Sequence, residues 1–408
     1  LPAAVPAGNV RSLDGEWRFA LDRDNRGIAE RWFERALPQR IRLPGTLSAQ
    51  GVGDDITPAT KWVGGIIDRS YFTAPEFEPY RRAGNIKVPF WLQPEKYYAG
   101  AAWYQRDLEI PATWSGRRIE LTLERPHWQT RVWLDGHELG TRDSLSTPHV
   151  YDLGSAVAPG RHQLSIRVDN SVIVDIGENS HSISDHTQGN WNGIAGRIEL
   201  AATAPIWIEE LQVYPRVATR SAVVKGRIGG APRTPDGAAV ALTAELFNAA
   251  GRANLSAGAA RANADGTFET EFALGADAWL WDEFTPALYR LTATPAGGEA
   301  KTVGFGLREI ATEGTQFVLN GRKIFFRGTL ECCIFPKTGH PPTDVASWKR
   351  LLGVARAHGL NTLRFHSWCP PEAAFVAADE MGMYFHVEAA SWPNHSTTLG
   401  DGKPVDVW

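Results

Sequence analysis

The spacing of apolar residues in this sequence changes near residue 309, and that change constrains the fold more than any other feature. Before it, apolar and polar residues alternate in short runs separated by Gly, Pro and Asp, which is typical of strands with one buried face. After it, strand-like runs alternate with segments of helical spacing. The 408 residues correspond to about two to four domains. The sequence therefore predicts a multidomain protein with β-sandwiches first and an α/β unit last.

The first segment, 1–203, is predicted to form a sandwich or jelly roll. Apolar and polar side chains alternate over 118–124 and 163–168, so each run is expected to bury one face. Between them, Asp135-Gly136 follows an apolar run and is typical of a two-residue hairpin turn. Residues 50–100 are rich in Pro, Gly and aromatics without a clear period, as in a functional loop or a plain surface insertion.

The second segment, 204–308, is predicted to be an immunoglobulin-like β-sandwich. Val240, Leu242 and Ala244 are spaced by two, as one face of a strand requires. About 100 residues with this pattern of strands and turns are typical of such a sandwich. The Cys–Trp–Cys signature of true immunoglobulin domains is missing, so the prediction depends on the pattern alone.

The third segment, 309–408, reads as strand, helix, strand, helix, strand. Val345, Trp348, Leu352 and Ala355 have helical spacing, and the preceding Thr343 or Asp344 is expected to cap the helix. The remaining elements are predicted as strands over 325–330, 362–365 and 383–387 and a helix from Pro371 to near Gly382.

This order is typical of a parallel sheet, and a (β/α)8 barrel is one way to complete it. Three parallel strands with two helices leave a bare sheet edge and an uncovered face. A closed barrel needs about 250 residues. We therefore expect 309–408 to hold the first part of a barrel, with the rest in another part of the protein or lost.

Polar side chains cluster where the three predicted parallel strands end. Active sites of α/β barrels lie at the carboxyl ends of their strands. A cation such as Arg364 also lowers the pKa of a neighbouring carboxylate. Structural ion pairs and caps are the alternative interpretation of the same residues. The candidate residues are Glu331, Arg364, His366, Trp368 and Glu388.

Several sequence patches stand out in order along the chain: Leu-Asp-Gly-Glu-Trp-Arg-Phe at 13–19, Trp-Tyr-Gln-Arg at 103–106, Val-Trp-Leu-Asp-Gly at 132–136, Asn-Trp-Asn-Gly-Ile-Ala-Gly at 190–196, Gly-Phe-Gly-Leu-Arg at 304–308 and Leu-Asn-Gly-Arg at 319–322. Together they resemble glycoside hydrolase family 2, the β-galactosidase, β-glucuronidase and β-mannosidase group. The likeness extends over nearly all of the chain. It implies a sugar-binding jelly roll, an immunoglobulin-like sandwich and the entry into a catalytic barrel, in that order.

The resemblance implies an exo-acting, retaining β-glycosidase, with β-galactosidase the leading activity and β-glucuronidase the next. Such enzymes use two carboxyl groups as nucleophile and acid/base. In the family these Glu residues follow the fourth and seventh barrel strands, so both are expected outside this chain. The carbohydrate substrate is the expected partner, and the retaining mechanism requires no cofactor.

The resemblance also implies a set of sugar-binding residues. Arg364 matches the arginine that holds the nucleophile ionised, and Glu388 matches an acidic position after the third strand. His366 and Trp368 approximate sugar-contacting positions, and Glu331 lies where the family has polar residues facing the sugar. Because the jelly roll of the family lends a loop to the active site, three further candidates are Asp185, His186 and Asn192.

Two other classes of function remain open at this stage. A non-catalytic carbohydrate-binding protein agrees with the 16 Trp residues, since indole faces stack on sugar rings, although sandwich cores use Trp as well. A purely architectural role would make the β-domains spacers and oligomer contacts, and family members do form homo-oligomers. A net charge of −4 without blocks of like charge gives no support for a nucleic-acid or membrane partner.

The ends of the chain and its cysteines lead to two further expectations. The sequence starts at Leu1 without an initiator Met, as expected either for a shortened chain or for a periplasmic or secreted protein whose signal peptide is already removed. Cys332, Cys333 and Cys369 lack metal-binding spacing, and no metal ligands are assigned. They are expected to be free thiols, or to form one bond from Cys369 to either of the other two.

Overall fold

A computed structural model describes the chain over residues 9–174, 180–185, 188–230, 237–248 and 255–389. It is a β-rich multidomain protein, and the strands fall into groups that follow each other along the chain. In the described part of the chain, none of the helices is long and apolar enough to cross a membrane.

The first group of strands forms a two-sheet antiparallel sandwich. One sheet has the order β1-β15-β8-β12, and the other has the order β11-β10-β13-β7-β2-β3. Small pairings β4-β14-β9 and β5-β6 complete the group. The bounds are β1 Val10–Ser12, β2 Gly15–Asp22, β3 Gln39–Leu43, β4 Gly45–Thr46, β5 Asp54–Asp55, β6 Lys96–Tyr97, β7 Ala101–Ile110, β8 Arg118–Leu123, β9 Pro126–His127, β10 Gln129–Leu134, β11 His137–Arg142, β12 His149–Gly154, β13 Gly160–Asp169, β14 Gly193–Ile194 and β15 Ile198–Thr203.

The core of this sandwich lies between its two large sheets, as a jelly roll requires. On β8, Ile119, Leu121 and Leu123 are buried and the residues between them are partly exposed, so the predicted alternation is confirmed. Their buried partners include Tyr104 and Ile166 on the opposite sheet. The turn between β10 and β11 uses Asp135-Gly136, as predicted, with φ values of 48° and 80°. Such left-handed values match the twist of a two-residue hairpin.

Strand β13 differs from its predicted alternation. All residues from Leu164 to Asp169 are buried, including those on the face away from the core. The reason is a second layer on the outer side of the sheet. Phe33 stacks on Trp133 with ring centroids 5.0 Å apart, and Trp133 lies 4.9 Å from Trp103. These rings, which we call the covering layer, bury the middle of the outer face.

The aromatic segment predicted as a loop over 50–100 has a small core of its own. It contains helix α1 (Ser70–Thr73) and a 3-10 turn at Pro75–Arg81. Trp62, Tyr71 and Tyr97 are buried together in this core. Packing of this kind explains why the segment shows no period, because its aromatic residues face one another rather than a sheet.

The second group of strands forms another two-sheet antiparallel sandwich, in agreement with the predicted immunoglobulin-like arrangement. Its sheets have the orders β16-β17-β20 and β19-β18-β21-β22. The predicted apolar face of Val240, Leu242 and Ala244 is confirmed, since all three are buried in the core. The bounds are β16 Trp207–Arg216, β17 Ser221–Gly229, β18 Ala239–Leu246, β19 Leu255–Arg261, β20 Thr267–Ala273, β21 Tyr289–Pro295 and β22 Lys301–Phe305.

The third group contains the predicted parallel sheet. An antiparallel sheet β23-β24-β25 precedes it, and β26-β27-β28 pair in parallel with helices between them. Completion of this sheet to a barrel stays a prediction, as do the domain boundaries after residues 203 and 308. The bounds are β23 Ile310–Glu313, β24 Gln316–Leu319, β25 Arg322–Ile324, β26 Gly328–Glu331, α2 Val345–Ala357, β27 Thr362–Phe365, α3 Glu372–Met381 and β28 Tyr384–Val387.

The helices of this group begin and end as their caps predict. Asp344 accepts a hydrogen bond from Ser347 N at 2.7 Å and is the N-cap of α2. Trp348 and Leu352 are fully buried against the sheet. Gly382 follows α3 with a φ of 69°, a left-handed value that glycine adopts without strain.

The first strand of the parallel sheet begins later than predicted. Residues 325–327 are not in a strand, and Phe325 is 75% exposed. The side chain of Asn361 explains this, because it accepts from Arg327 N at 2.8 Å and donates to Phe325 O at 3.0 Å. An amide side chain therefore satisfies the backbone there in place of a neighbouring strand.

Candidate active site at the strand ends

The ends of β27 and β28 bring Arg364 and Glu388 together. Arg364 Nε lies 2.5 Å from Glu388 Oε1, and Ser367 N donates to Glu388 Oε2 at 2.8 Å. Desolvation raises the pKa of Glu388, but the hydrogen bond from Ser367 and the ion pair with Arg364 outweigh it, so the pKa is lowered overall. The carboxylate is therefore held ionised, and Arg364 is held beside it.

Glu331, at the end of β26, is a carboxyl group of the opposite character. Its side chain is largely buried and accepts from Cys333 N at 3.0 Å. Desolvation raises the pKa of Glu331 to about 7, and hydrogen bonds only partly offset this. The same end of the sheet thus carries one ionised carboxylate and one carboxyl group that exchanges a proton near neutral pH.

His366 and Trp368 lie in the segment after β27. The His366 ring meets that of His181 edge-to-face, with centroids 4.9 Å apart, and its Nδ1 is 4.0 Å from Cys332 Sγ. Trp368 donates through Nε1 to the backbone oxygen of Glu331 at 3.3 Å. Trp368 is buried and belongs to the hydrophobic core of the α/β group.

The face of the parallel sheet opposite the helices is exposed. Leu330, Arg364 and His386 are neighbours in register and share this face. All three side chains are open to solvent, and Leu330 is a large apolar residue among them. In a closed barrel, this face would line the interior.

Loops of the first sandwich hold the segment after β27 by its backbone, a contact that the sequence did not predict. Three side chains of the sandwich donate to carbonyl oxygens of this segment, and we call them the carbonyl clamp. The residues in each contact are separated by 178 or more positions, so no local pattern reveals it. The contacts are Gln188 Nε2 to His366 O at 2.5 Å, Ser182 Oγ to Ser367 O at 3.1 Å and Arg125 Nη2 to Cys369 O at 2.5 Å.

Two other predicted sugar-binding residues, Asp185 and Asn192, have hydrogen-bond partners away from the strand ends. The Asp185 carboxylate accepts from Val63 N at 2.5 Å and Tyr97 Oη at 3.0 Å, inside the first sandwich and its aromatic segment. Desolvation raises the pKa of Asp185 to about 7. Asn192 is buried and accepts from Tyr104 Oη at 2.8 Å, so its amide joins strands of the sandwich. His186 lies outside the described residues.

The three cysteines are free thiols, and the alternative of a bond from Cys369 is wrong. Cys333 is buried, and Cys332 and Cys369 are partly exposed. Burial raises the pKa of all three thiols. No set of three or more His, Cys, Asp or Glu within the described ranges is arranged to ligate a metal.

Comparison with known proteins agrees with this fold. The family profile described as "Glycosyl hydrolases family 2, sugar binding domain" matches residues 10–71. The β-galactosidase of Aeromonas hydrophila is 24% identical over 95% of this chain and 36% of its own length. The β-glucuronidase of Paenibacillus borealis is 22% identical over 78% of this chain and 48% of its own length. The chain therefore spans between a third and a half of these relatives.

Solved structures give the same result for the fold. A β-glucuronidase from an uncultured Clostridium species has a TM-score of 0.71 at 19% identity, and the match covers 99% of this chain and 63% of that one. The Ruminococcus gnavus β-glucuronidase has a TM-score of 0.67 at 19% identity, over 94% of this chain and 59% of that one. The chain is thus a multidomain relative of glycoside hydrolases. More particularly, the chain is related to the amino-terminal portion of glycoside hydrolase family 2 β-galactosidases and β-glucuronidases.

Proposed function

We propose that this protein is an exo-acting, retaining β-glycosidase that removes terminal sugars from oligo- or polysaccharides, with β-galactosidase-like activity. The observation that carries the proposal is the network of Arg364, Glu388 and Ser367 at the ends of parallel strands. The chain that presents it has relatives named β-galactosidase and β-glucuronidase. Retaining glycosidases use two carboxyl groups about 5–5.5 Å apart. We assign neither role to a described residue, since the family pattern puts both after later strands.

In this proposal the strand-end residues position the sugar and the catalytic carboxylates. Arg364 supplies positive charge that keeps a nearby nucleophile ionised, and Glu388 holds its guanidinium in place. Glu331 and His366 contact sugar hydroxyl groups, which both donate and accept hydrogen bonds. The carbonyl clamp contributes by fixing the backbone between His366 and Cys369.

A β-glucuronidase is the second candidate, and the solved relatives favour it by name. A glucuronide carries a carboxylate, so its recognition needs a cation with free donors. At the described strand ends, Arg364 already pairs with Glu388. This pairing supports a neutral sugar over a uronic acid.

Hydrolysis of nitrophenyl glycosides by the full-length gene product tests the proposal. We expect the highest kcat/KM on the β-galactoside, lower values on the β-glucuronide, and none on the matching α-galactoside. The β-anomer of the sugar should be released first, because the mechanism retains configuration. The absence of hydrolysis of every β-glycoside would refute the proposal. Retention on glycan affinity gels without hydrolysis would instead support a carbohydrate-binding protein.

A further inference from the structure

A cavity of about 320 Å³ lies between the first sandwich and the parallel sheet. We call it the junction cavity. Ligand pockets of proteins span about 300–1,000 Å³, so its volume is that of a site for one small ligand. Its lining includes the side chains of Arg125, His127, Trp128, Trp191, Trp368 and Glu388.

Two side chains of the junction cavity have buried polar atoms without a partner in the described structure. Both ring nitrogens of His127 and the Nε1 of Trp191 are in this state. The two rings pack edge-to-face with centroids 4.5 Å apart. By contrast, Trp128 donates to Asp143 O at 2.8 Å. Because buried polar groups in native proteins almost always have partners, the unpaired groups point to a bound molecule.

The unpaired groups are suited to hydroxyl groups. Desolvation, with a smaller contribution from Arg125, lowers the pKa of His127 to about 3, so the ring is neutral at physiological pH. A neutral imidazole has one N–H donor and one bare nitrogen that accepts. The Trp191 indole adds a second donor. A hydroxyl group both donates and accepts, and therefore complements either ring.

Two charged side chains of the junction cavity, Arg125 and Glu388, are already engaged. Among its described lining residues, Arg125 is the one with a permanent positive charge. Its guanidinium donates to Cys369 O and Ser146 O and lies over the ring of Trp368. Glu388 pairs with Arg364. An anionic ligand would meet no free cation among these lining residues, so a neutral ligand is favoured over an anion.

We propose that the junction cavity is a binding subsite for one neutral sugar ring. His127 and Trp191 hold its hydroxyl groups, and the indoles of Trp128 and Trp368 pack against its apolar faces. The proposal rests on the glycosidase function proposed above and extends it. The substrate then has at least two sugar units, of which a neutral one occupies this cavity.

Equilibrium binding of a hydrolysis-resistant, thio-linked neutral disaccharide to the full-length gene product tests this subsite. Trp191→Phe keeps the aromatic ring and removes the N–H, and it should raise Kd about three- to tenfold. His127→Leu should do the same, whereas His127→Gln retains a donor and an acceptor and should change Kd less than about threefold. Trp91→Phe, at an exposed ring outside the cavity, is the matched control and should leave Kd unchanged.

The outcomes separate the subsite from the glycosidase activity. Equal Kd values for wild type, Trp191→Phe and His127→Leu would overturn the subsite and indicate that water alone fills the cavity, even if nitrophenyl glycosides are hydrolysed. Weaker binding by these variants without any hydrolysis would support the subsite and refute the glycosidase. If the His127→Leu variant does not fold, the Kd of the Trp191→Phe variant alone decides whether the subsite exists. Tighter binding of the corresponding uronic acid disaccharide would contradict a neutral ligand.

Discussion

Arg364 and Glu388 form an ion pair between adjacent parallel strands, with Arg364 Nε 2.5 Å from Glu388 Oε1. The Arg364 side chain is 49% exposed and that of Glu388 is 19% exposed. Ion pairs with such access to water contribute less than about 1 kcal/mol to folding. The pair is therefore expected to matter more for the site than for stability.

Arg364→Ala is expected to lower kcat/KM for nitrophenyl glycosides about 10²-fold, the usual cost of losing one positioned electrostatic group. The midpoint of thermal unfolding should change little. Arg31→Ala, which removes a surface ion pair with Glu34, is the control and should leave both quantities unchanged. An unaltered rate for Arg364→Ala would remove this residue from the site.

Leu352→Ala is expected to reduce the free energy of unfolding by about 2–5 kcal/mol, because it leaves a cavity in the core of the α/β group. Leu352 is fully buried on α2, between that helix and the sheet. Val354, two residues further on, is 59% exposed, so Val354→Ala should cost less than about 0.5 kcal/mol. Urea unfolding compares them, and equal losses would contradict this placement of α2.

Asp185 should make the protein less stable as the pH rises from about 4 to about 7. Its pKa is raised from 3.8 to about 7 in the folded state, so the folded protein binds the proton more tightly than the unfolded chain. This stabilisation is fully present below the pKa of Asp185 in the unfolded chain. It is lost as the pH rises through the pKa of Asp185 in the folded protein. One pKa unit corresponds to about 1.4 kcal/mol.

Asp185→Asn should remove this pH dependence because an amide does not titrate. The amide oxygen can still accept the hydrogen bond from Val63 N. Urea unfolding at pH 5, 6, 7 and 8 measures the difference between wild type and variant, which should grow up to about pH 7 and then level off. The exposed Asp55→Asn is the control. A difference that does not vary with pH would show that Asp185 is ionised throughout.

Cys333 should resist thiol reagents in the folded protein. Its thiol is buried, and burial raises its pKa, so little thiolate forms. In a Cys332→Ser variant, mass spectrometry should find Cys333 unmodified until urea unfolds the chain. Cys369 is partly exposed and should react first. Rapid native modification of Cys333 would contradict its burial.

Local patterns in the sequence were sufficient to predict the structural elements that depend on nearby residues. The cap at Asp344, the turn at Asp135-Gly136 and the strand over 362–365 all follow the prediction. Each depends on contacts within a few positions, so the sequence carries the whole signal. The pairing of Arg364 with Glu388 was also accessible, because neighbouring parallel strands end on the same side.

Other features depend on residues far apart in sequence, and no local pattern reveals them. Asn361 delays the start of β26 through an amide contact across more than 30 positions. Gln188 reaches a carbonyl oxygen 178 positions away. Of the Trp residues, Trp91 is exposed while Trp103 and Trp348 are buried, and composition alone does not distinguish them.

The covering layer changes which substitutions the first sandwich can accept. Ser165 and Arg167 point away from the central core, yet both are buried beneath this layer. Arg167 is held there by Asp169 at 2.7 Å and by Asn25 at 2.8 Å. Positions that would vary freely on the surface of a two-layer protein are interior positions of a three-layer one. A sequence library at β13 should therefore tolerate few changes on either face, while the neighbouring exposed edge at β11 should tolerate many.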